Sequence, residues 1–417
     1  MTAPAPIISA PYQRPALELA DILRAYLPAF LKEHTLPVHH HKVLRAIMNC
    51  RTAALDIHAA VCDTCGTVEY SYNSCRDRHC PKCQGSAKLK WLGQRVEELL
   101  PTSYYHCVFT LPHLLNLLLR YNQKQLYDLL FHAAFATLNS FAANPKWLGA
   151  SLGFIGILHT WGQDLKYHVH LHFIVTSGGL SEDGTKWIAP KYEHDFLFPV
   201  RAMSKVFRGK FIAGLSQLLA EDALELPGEM AQLRHPVPFE AYKRRLHDEE
   251  WVVYAKPPFG GPADVLSYIG RYTHRVAISN HRLKGMEDGA VTFEYKDYKD
   301  KSAIKTMTLS GDSFISRFLQ HVAPTRYVRI RYGGLLAGRE RSDNLRCAHT
   351  LLATRNSDAK GFLEHLMNLA KRLFEAARRK CPSCGEGTML YFELLHWVPS
   401  THCWRGEQLG PVFRGVG

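Results

Sequence analysis

Two closely spaced Cys-x-x-Cys pairs constrain the fold of this chain more than any other feature of its sequence. The segment CDTCGTVEYSYNSCRDRHCPKCQ supplies four cysteines at the spacing of paired zinc knuckles: Cys62, Cys65, Cys80 and Cys83. Each pair places two thiolates at one corner, and two such corners complete the tetrahedron that a structural Zn²⁺ requires. Cys75 and His79 could replace one ligand or be simple neighbours, whereas Cys50 and Cys107 are expected to be core thiols. A site made of cysteines alone has no open position, so a structural zinc site is predicted and not a catalytic one.

The overall charge of the chain favours a polyanionic partner. Its 417 residues include 51 Lys and Arg against 38 Asp and Glu, which gives a net charge of +13 and a pI near 9.2. Such a balance is typical of nucleic-acid-binding proteins, although many basic proteins bind none. The sequence shows neither a secretion signal nor an apolar run long enough for a membrane span. Because it nevertheless contains eleven cysteines, a reducing compartment is expected, and therefore the cytoplasm.

The segment KYHVHLHFIV predicts a β-strand with three histidines on one face. Apolar residues alternate there with His168, His170 and His172 at period two. A lone histidine on such a strand is usually a satisfied core residue, but imidazoles at i and i+2 are spaced to hold a single cation. His159 lies on the preceding predicted strand, SLGFIGILHTW, and could add a third ligand across a hairpin. The pattern indicates a site for Mg²⁺, Mn²⁺ or zinc, of the kind used in phosphate chemistry.

A second pattern places two tyrosines on a basic helix. In VLSYIGRYTHRVAIS, Tyr268 and Tyr272 share one helix face and are displaced by about 6 Å along the axis. Core packing explains most such pairs, but Arg271 and Arg275 beside them suit a helix that faces phosphates. A tyrosine hydroxyl is a poor nucleophile unless its target phosphate is polarised. A cation held by the histidines could polarise that phosphate, so the two patterns make chemical sense together.

Three blocks in this order resemble a known group of enzymes. The blocks are SCRDRHCPKCQ, HTWGQDLKYHVHLHFIVTSGGL and YIGRYTHRVAISNHRL. A His-hydrophobe-His strand followed by a Tyr-x-x-x-Tyr helix resembles the HUH single-strand endonucleases. Within that group, the three blocks together resemble the two-tyrosine rolling-circle transposases of insertion-sequence family 91. The resemblance extends from about Cys50 to about Leu352.

The resemblance implies roles for particular residues of this chain. His170 and His172 match the metal-binding pair, and Tyr268 and Tyr272 match the nucleophiles. The four cysteines of the two N-terminal pairs match the zinc module. The third ligand of the catalytic Mg²⁺ or Mn²⁺ stays open, because His159 fits the three-histidine spacing of relaxases and His168 competes on the same strand.

The resemblance also implies a reaction and its partners. One tyrosine attacks a phosphodiester of single-stranded DNA at the end of the mobile element, which leaves a 5′-phosphotyrosine and a free 3′-OH. A later 3′-OH rejoins the strand, and a second tyrosine lets the enzyme cut again while it still holds the first strand end. The implied partners are the single-stranded ends of the element and the target DNA. Two alternatives remain, namely a plasmid or phage rolling-circle replication initiator and a non-catalytic, zinc-dependent nucleic-acid-binding protein.

The C-terminal part of the chain is rich in arginine and contains another Cys-x-x-Cys pair. Arginines interleaved with tyrosines in RYVRIRYGGLLAGRERSDNLRC suit a groove for single-stranded DNA, and a solvated basic face is the alternative. The side chains expected to contact DNA are Arg76, Arg78, Lys82, Arg271, Arg275, Arg329 and Arg331. Cys381 and Cys384 could form half of a second zinc ribbon. The candidates for its remaining ligands are Cys347, His349, His396, His402 and Cys403.

The expected fold is α+β with a central antiparallel sheet. The HUH strand would lie in the middle of that sheet, with helices packed over one face. A small helical zinc-binding domain is expected over residues 1–100 and the endonuclease domain over 101–325, with an insertion at about 180–250. Residues 326–417 would form a basic C-terminal region.

Overall fold

The chain folds into two compact units, each assembled from separate stretches of sequence. The computed structural model describes residues 15–191, 197–259, 265, 270, 272–298, 300–355, 364, 368, 371, 379–398 and 403–408. One unit, here called the histidine unit, contains Arg95–Thr273 and Ala323–Met367. The other, called the cysteine unit, contains Ile8–Gln94, His274–Val322 and Asn368–Gly417. The consecutive domains 1–100, 101–325 and 326–417 expected from the sequence differ from this division, because the chain passes repeatedly between the two units.

The secondary structure alternates short helices with antiparallel strands. In chain order, the α-helices of the described residues are α1 (Leu19–Glu33), α2 (Val38–Asn49), α3 (Gln84–Arg95), α4 (Asn116–Tyr121), α5 (Gln123–Ala143), α6 (Val200–Ala220), α7 (Pro236–Asp248), α8 (Gly311–Leu319) and α9 (Arg341–Arg355). The strands are β1 (Ile57–Cys62), β2 (Val68–Tyr72), β3 (Tyr104–Thr110), β4 (Ser151–Trp161), β5 (Tyr167–Leu180), β6 (Trp187–Ile188), β7 (Val253–Phe259), β8 (Leu283–Glu287), β9 (Ala290–Asp297), β10 (Ala303–Ser310), β11 (Ile330–Gly334), β12 (Met389–Val398) and β13 (Cys403–Gln408).

The histidine unit is built on a six-stranded antiparallel sheet. Its strand order is β11-β4-β5-β3-β7, and β6 pairs with β5. The predicted strand KYHVHLHFIV is part of β5, and β5 lies in the middle of this sheet. The predicted hairpin between β4 and β5 is confirmed, with Leu165 at a positive φ of 60° in the connecting turn.

The two faces of this sheet have different roles because β5 alternates at period two. Val169, Leu171 and Phe173 point into the main hydrophobic core of the unit. Helices α5 and α6 cover that face, and Phe207 of α6 makes an edge-to-face contact with Phe109 of β3 at 5.1 Å between ring centroids. The intervening histidines of β5 therefore lie on the opposite face.

The cysteine unit contains two smaller antiparallel sheets. One has the strand order β13-β12-β1-β2, and the other has the order β10-β9-β8. In the first sheet, the C-terminal strand β12 pairs with β1, so strands more than 300 residues apart in the sequence are neighbours. Helices and antiparallel sheets in both units confirm the predicted α+β class. Within the described part of the chain, none of the helices is both long and apolar enough to cross a membrane.

Candidate metal centres and functional site

Three histidines converge on the face of the central sheet opposite the main hydrophobic core. His159 of β4 and His170 of β5 are cross-strand partners, and His172 follows on the same face of β5. One ring nitrogen from each histidine lies within 4.8 Å of the other two. His159 is 2% exposed and His172 is 8% exposed, so the cluster is sheltered from bulk water.

Hydrogen bonds orient two of these rings toward a common point. His170 Nδ1 lies 2.8 Å from the carbonyl oxygen of His168, so it donates a proton there and its lone pair is on Nε2. His170 Nε2 is 3.0 Å from His172 Nε2. Adjacent ligands of an octahedral ion with bonds of about 2.1 Å are separated by about 3 Å, which matches this distance. The pair therefore fits a six-coordinate divalent cation.

A fourth histidine contacts the Nδ1 side of the His172 ring. His106 of β3 is 4% exposed, and its Nε2 lies 2.9 Å from His172 Nδ1. Burial, together with the nearby Lys256 and His170, lowers the pKa of His106 to about 3, which keeps its ring neutral. A neutral His106 can accept the Nδ1–H of His172 and leave the lone pair of His172 on Nε2, facing His170. The sequence analysis missed His106, because a single histidine in the strand YYHCVFT carries no pattern.

Tyr272 lies directly beside the histidine cluster. The centroid of its ring is 4.2 Å from that of His172, and its side chain is half-buried. His159 Nε2 lies 2.7 Å from the Tyr272 carbonyl oxygen, so it donates a hydrogen bond there and places its own lone pair on Nδ1. The structure thus brings together two patterns more than ninety residues apart in the sequence. The other predicted nucleophile, Tyr268, lies outside the described residues.

His168 does not belong to this cluster. Its ring centroid lies 5.3 Å from that of His113, and burial followed by the charge of His113 lowers its pKa. Its contribution to the cluster is the backbone carbonyl that orients His170. Of the two candidates for a third ligand, only His159 lies with His170 and His172.

The cysteines form two clusters, and their grouping corrects the prediction. The first cluster, here called the N-terminal cysteine site, comprises Cys50, Cys75, Cys80 and Cys83. The second, here called the terminal-joining site, comprises Cys62, Cys65, Cys381 and Cys384. The predicted single site of Cys62, Cys65, Cys80 and Cys83 is wrong, because each pair has its own partners. His79 instead pairs with Asp77 at 2.9 Å.

The N-terminal cysteine site has the geometry of a tetrahedral thiolate site. Cys50 follows the last turn of α2, and its Sγ is 3.4 Å from that of Cys83. Cys75 Sγ is 3.6 Å from the same sulfur. Zn–S bonds of about 2.3 Å place tetrahedral sulfurs about 3.8 Å apart, so these cysteines fit Zn²⁺. Cys50, predicted to be a core thiol, is therefore a candidate ligand.

Two of the basic residues expected to contact DNA have acidic partners within the fold. Lys82 is only 10% exposed in its side chain and pairs with Glu18 at 2.8 Å. Arg331 forms an ion pair with Asp128, and its guanidinium lies over the Phe131 ring at 4.4 Å from the centroid. The Arg331 side chain is still 29% exposed, so DNA contact by these two residues stays a prediction that a binding titration tests.

The other basic residues differ in exposure and role. Arg76 is exposed, whereas Arg78 and Arg275 are half-buried. Arg329 Nη2 donates to the Thr273 carbonyl at 2.9 Å, next to Tyr272 in sequence, so it anchors the segment that carries this tyrosine. Arg271 lies outside the described residues.

The edge strand β7 adds a basic residue and an aromatic residue that the sequence analysis did not select. Lys256 pairs in register with His106, and Tyr254 pairs with Val108, which places both on the histidine face of the sheet. Both side chains are exposed.

Comparison with known proteins gives two matching family models. Residues 153–344 match the model described as "Putative transposase", and residues 22–111 match the one described as "Transposase zinc-binding domain". The first range contains the histidine cluster and Tyr272. The second contains every member of the N-terminal cysteine site. No solved structure matches the chain.

Two curated proteins are similar over most of the chain. The chain is 44% identical over 395 residues to "Putative transposase y4qJ" of Sinorhizobium fredii (strain NBRC 101917 / NGR234), an alignment that covers 93% of this chain and 98% of that protein. It is 31% identical over 305 residues to "Transposase for insertion sequence element IS801" of Pseudomonas savastanoi pv. phaseolicola, with coverage of 70% and 69%.

Proposed function

Because the chain belongs to the IS91 family of insertion-sequence transposases, we propose that it moves its element by cutting and rejoining single-stranded DNA with a tyrosine nucleophile. The observation that carries this proposal is the position of Tyr272 beside three convergent histidines. Nothing in core packing requires three imidazoles and a half-buried tyrosine to meet on the sheet face opposite the main core. A metal-assisted nuclease with a tyrosine nucleophile does require a cation site beside that tyrosine.

The proposed cation ligands are His159, His170 and His172, with His159 as the third ligand. Their ring nitrogens fit one coordination sphere, and hydrogen bonds already hold two of the rings in the metal-binding tautomer. The 3.0 Å spacing of His170 Nε2 and His172 Nε2 fits six-coordinate Mn²⁺ or Mg²⁺, and phosphate oxygens and water would fill the remaining positions. When bound, such a cation supplies polarisation of the scissile phosphate.

The proposed covalent step uses Tyr272 or Tyr268. The phenolic hydroxyl releases its proton as its oxygen attacks phosphorus, a new O–P bond forms, and the bond from phosphorus to the 3′-oxygen breaks. The products are a 5′-phosphotyrosine and a 3′-oxygen that takes up a proton to become a hydroxyl. The tyrosine–phosphate bond keeps the energy of the broken phosphodiester. The 3′-OH of another strand end can therefore attack this bond, release the tyrosine and become joined to the DNA that the protein holds.

The proposed DNA path follows the histidine face toward β7. Single-stranded DNA is bound by grooves that combine cations for the backbone with aromatic rings for the bases. At the sheet edge next to His106, exposed Lys256 supplies a cation and exposed Tyr254 supplies an aromatic ring. The partners are single-stranded DNA at the ends of the element and the target DNA.

Two alternative functions make different predictions. A plasmid or phage replication initiator would share the chemistry, but both relatives are named as transposases and the match includes the transposase zinc-binding domain. A non-catalytic nucleic-acid-binding protein would use the histidines and tyrosines for stability alone.

Trapping the covalent intermediate tests this proposal. The protein is incubated with Mn²⁺ and 5′- or 3′-labelled oligonucleotides from the element's ends, with and without EDTA, and run on a denaturing gel. We expect an adduct that carries the DNA 3′ of the cut, that EDTA abolishes, and that the double variant Tyr268→Phe, Tyr272→Phe lacks. Tyr121→Phe, a change at a 50% exposed tyrosine of the same unit, is the matched control and should keep the adduct.

Loss of the adduct with unchanged DNA affinity supports catalysis by these tyrosines. An adduct that persists in the double variant would overturn their assignment as nucleophiles. If the unaltered chain bound these oligonucleotides but formed no adduct, the result would support the non-catalytic alternative.

A further inference from the structure

The two Cys-x-x-Cys turns of the terminal-joining site have the same sequence signature. Cys62-Asp-Thr-Cys65 is followed by Gly66, and Cys381-Pro-Ser-Cys384 is followed by Gly385. Gly66 and Gly385 adopt positive φ values of 71° and 73°, a conformation that favours glycine. The pair Cys80 and Cys83 lacks this glycine, since Gln84 begins α3.

The backbones of the two turns are also alike. Gly66 N–H donates to the Cys62 carbonyl at 3.1 Å, and Gly385 N–H donates to the Cys381 carbonyl at 3.0 Å. Amide groups also approach the sulfurs, with Thr64 N 3.4 Å from Cys62 Sγ and Gly387 N 3.4 Å from Cys384 Sγ. N–H donors of this kind stabilise a thiolate, which is the form of cysteine that binds metal.

The sulfurs of the two turns face each other at tetrahedral distances. Cys62 Sγ lies 3.8 Å from Cys384 Sγ, and Cys65 Sγ lies 3.7 Å from Cys381 Sγ. These separations agree with the value of about 3.8 Å for Zn–S bonds of about 2.3 Å. All four sulfurs lie within 4.8 Å of one another.

Hydrogen bonds and a close backbone contact near the sulfurs join the two Cys-x-x-Cys turns. Asp63 exchanges two hydrogen bonds with Thr388, its Oδ1 accepting from Thr388 N–H at 2.8 Å and its own N–H donating to the Thr388 carbonyl at 3.1 Å. A Cβ added to Gly387 would lie 2.3 Å from Cys62 Sγ, so the backbone there approaches too closely for any larger residue. Beyond the turns, β1 and β12 continue as paired strands.

We propose that Cys62, Cys65, Cys381 and Cys384 bind a second structural Zn²⁺ that joins the two ends of the chain into one module. Cys381 and Cys384 lie outside both family-model matches, so the matched zinc-binding domain of residues 22–111 does not contain this site. Removal of the C-terminal pair would leave Cys62 and Cys65 with only two of the four ligands of this site. The C-terminal hairpin of β12 and β13 is thus a part of the cysteine unit that depends on metal.

Metal stoichiometry of the full-length protein tests this proposal. Protein purified under reducing conditions is measured by inductively coupled plasma mass spectrometry. We expect two Zn²⁺ per chain, and one in the double variant Cys381→Ser, Cys384→Ser. Cys347→Ser is the matched control, because this cysteine instead hydrogen-bonds to the Gly184 carbonyl at 3.0 Å, and it should retain two.

Two further variants keep the test decisive if the double variant folds poorly. Gly387→Val keeps every ligand but displaces Cys62 Sγ, so it should lose one Zn²⁺. Cys384→His keeps a ligand and should retain two metals, and its Co²⁺-substituted form should show an altered thiolate-to-metal charge-transfer band. A single Zn²⁺ in the unaltered chain, or two in the Cys381→Ser, Cys384→Ser variant, would overturn the proposal.

Discussion

Replacement of His106 tests how the metal-binding geometry is held in place. In His106→Leu, His172 Nδ1 loses its acceptor at 2.9 Å, and the ring can rotate or change tautomer. Loss of such a supporting hydrogen bond lowers metal affinity or activity by about 10- to 100-fold. That range corresponds to about 1.4–2.7 kcal/mol of binding free energy.

The assay is a Mn²⁺ titration of oligonucleotide cleavage. We expect the midpoint of the titration to rise by about 10- to 100-fold in His106→Leu, with DNA affinity unchanged. His106→Gln, whose side-chain oxygen can accept the same hydrogen bond, should recover part of the loss. Thermal unfolding of each variant separates a change in metal affinity from loss of the folded state.

His113→Leu is the matched control for this prediction. His113 packs against His168, which does not belong to the metal cluster, so its replacement should leave the Mn²⁺ midpoint unchanged. An unchanged midpoint in folded His106→Leu, or a comparable increase in His113→Leu, would refute the argument that His106 orients His172.

Two further predictions concern basic residues whose partners are internal. Arg331→Ala should lower the free energy of unfolding by about 1–2 kcal/mol, through the lost contact with Phe131, and leave single-strand affinity unchanged in a binding titration. A tenfold loss of affinity by the folded variant would identify Arg331 as a DNA contact. Lys82→Ala should lower the free energy of unfolding by about 3–5 kcal/mol, because Glu18 stays buried without its cation. Denaturant unfolding measures this loss. The double variant Lys82→Met, Glu18→Gln should recover most of the lost stability. Equal losses in the single and the double variant would contradict the explanation that an unpaired, buried Glu18 causes the loss.

Local periodicity predicted the central part of the histidine unit. His170 and His172 lie on one face because the strand alternates at period two, and His159 meets them because a short hairpin fixes the register. The arrival of Tyr272 at the same face is a tertiary contact, and only the resemblance to the HUH group anticipated it.

The grouping of the cysteines could not be predicted from proximity in the sequence. Cys62 and Cys65 lie closer in sequence to Cys80 than to Cys381, yet β1 pairs with β12 and brings the distant pair to them. The one local signal was the glycine that follows two of the three Cys-x-x-Cys pairs. The interleaving of the two units left no sequence signal, because each stretch reads as an ordinary helix or strand by itself.

The most direct test of the proposed function is to identify the residue that becomes linked to DNA. The adduct formed with Mn²⁺ is digested with nuclease and trypsin, and the nucleotide-bearing peptide is sequenced by mass spectrometry. The account predicts a 5′-phosphate ester on Tyr272, in the tryptic peptide of residues 272–275, or on Tyr268, in the tryptic peptide that ends at Arg271. A nucleotide linked to a serine, to a tyrosine elsewhere in the chain, or through a 3′-phosphate would contradict it.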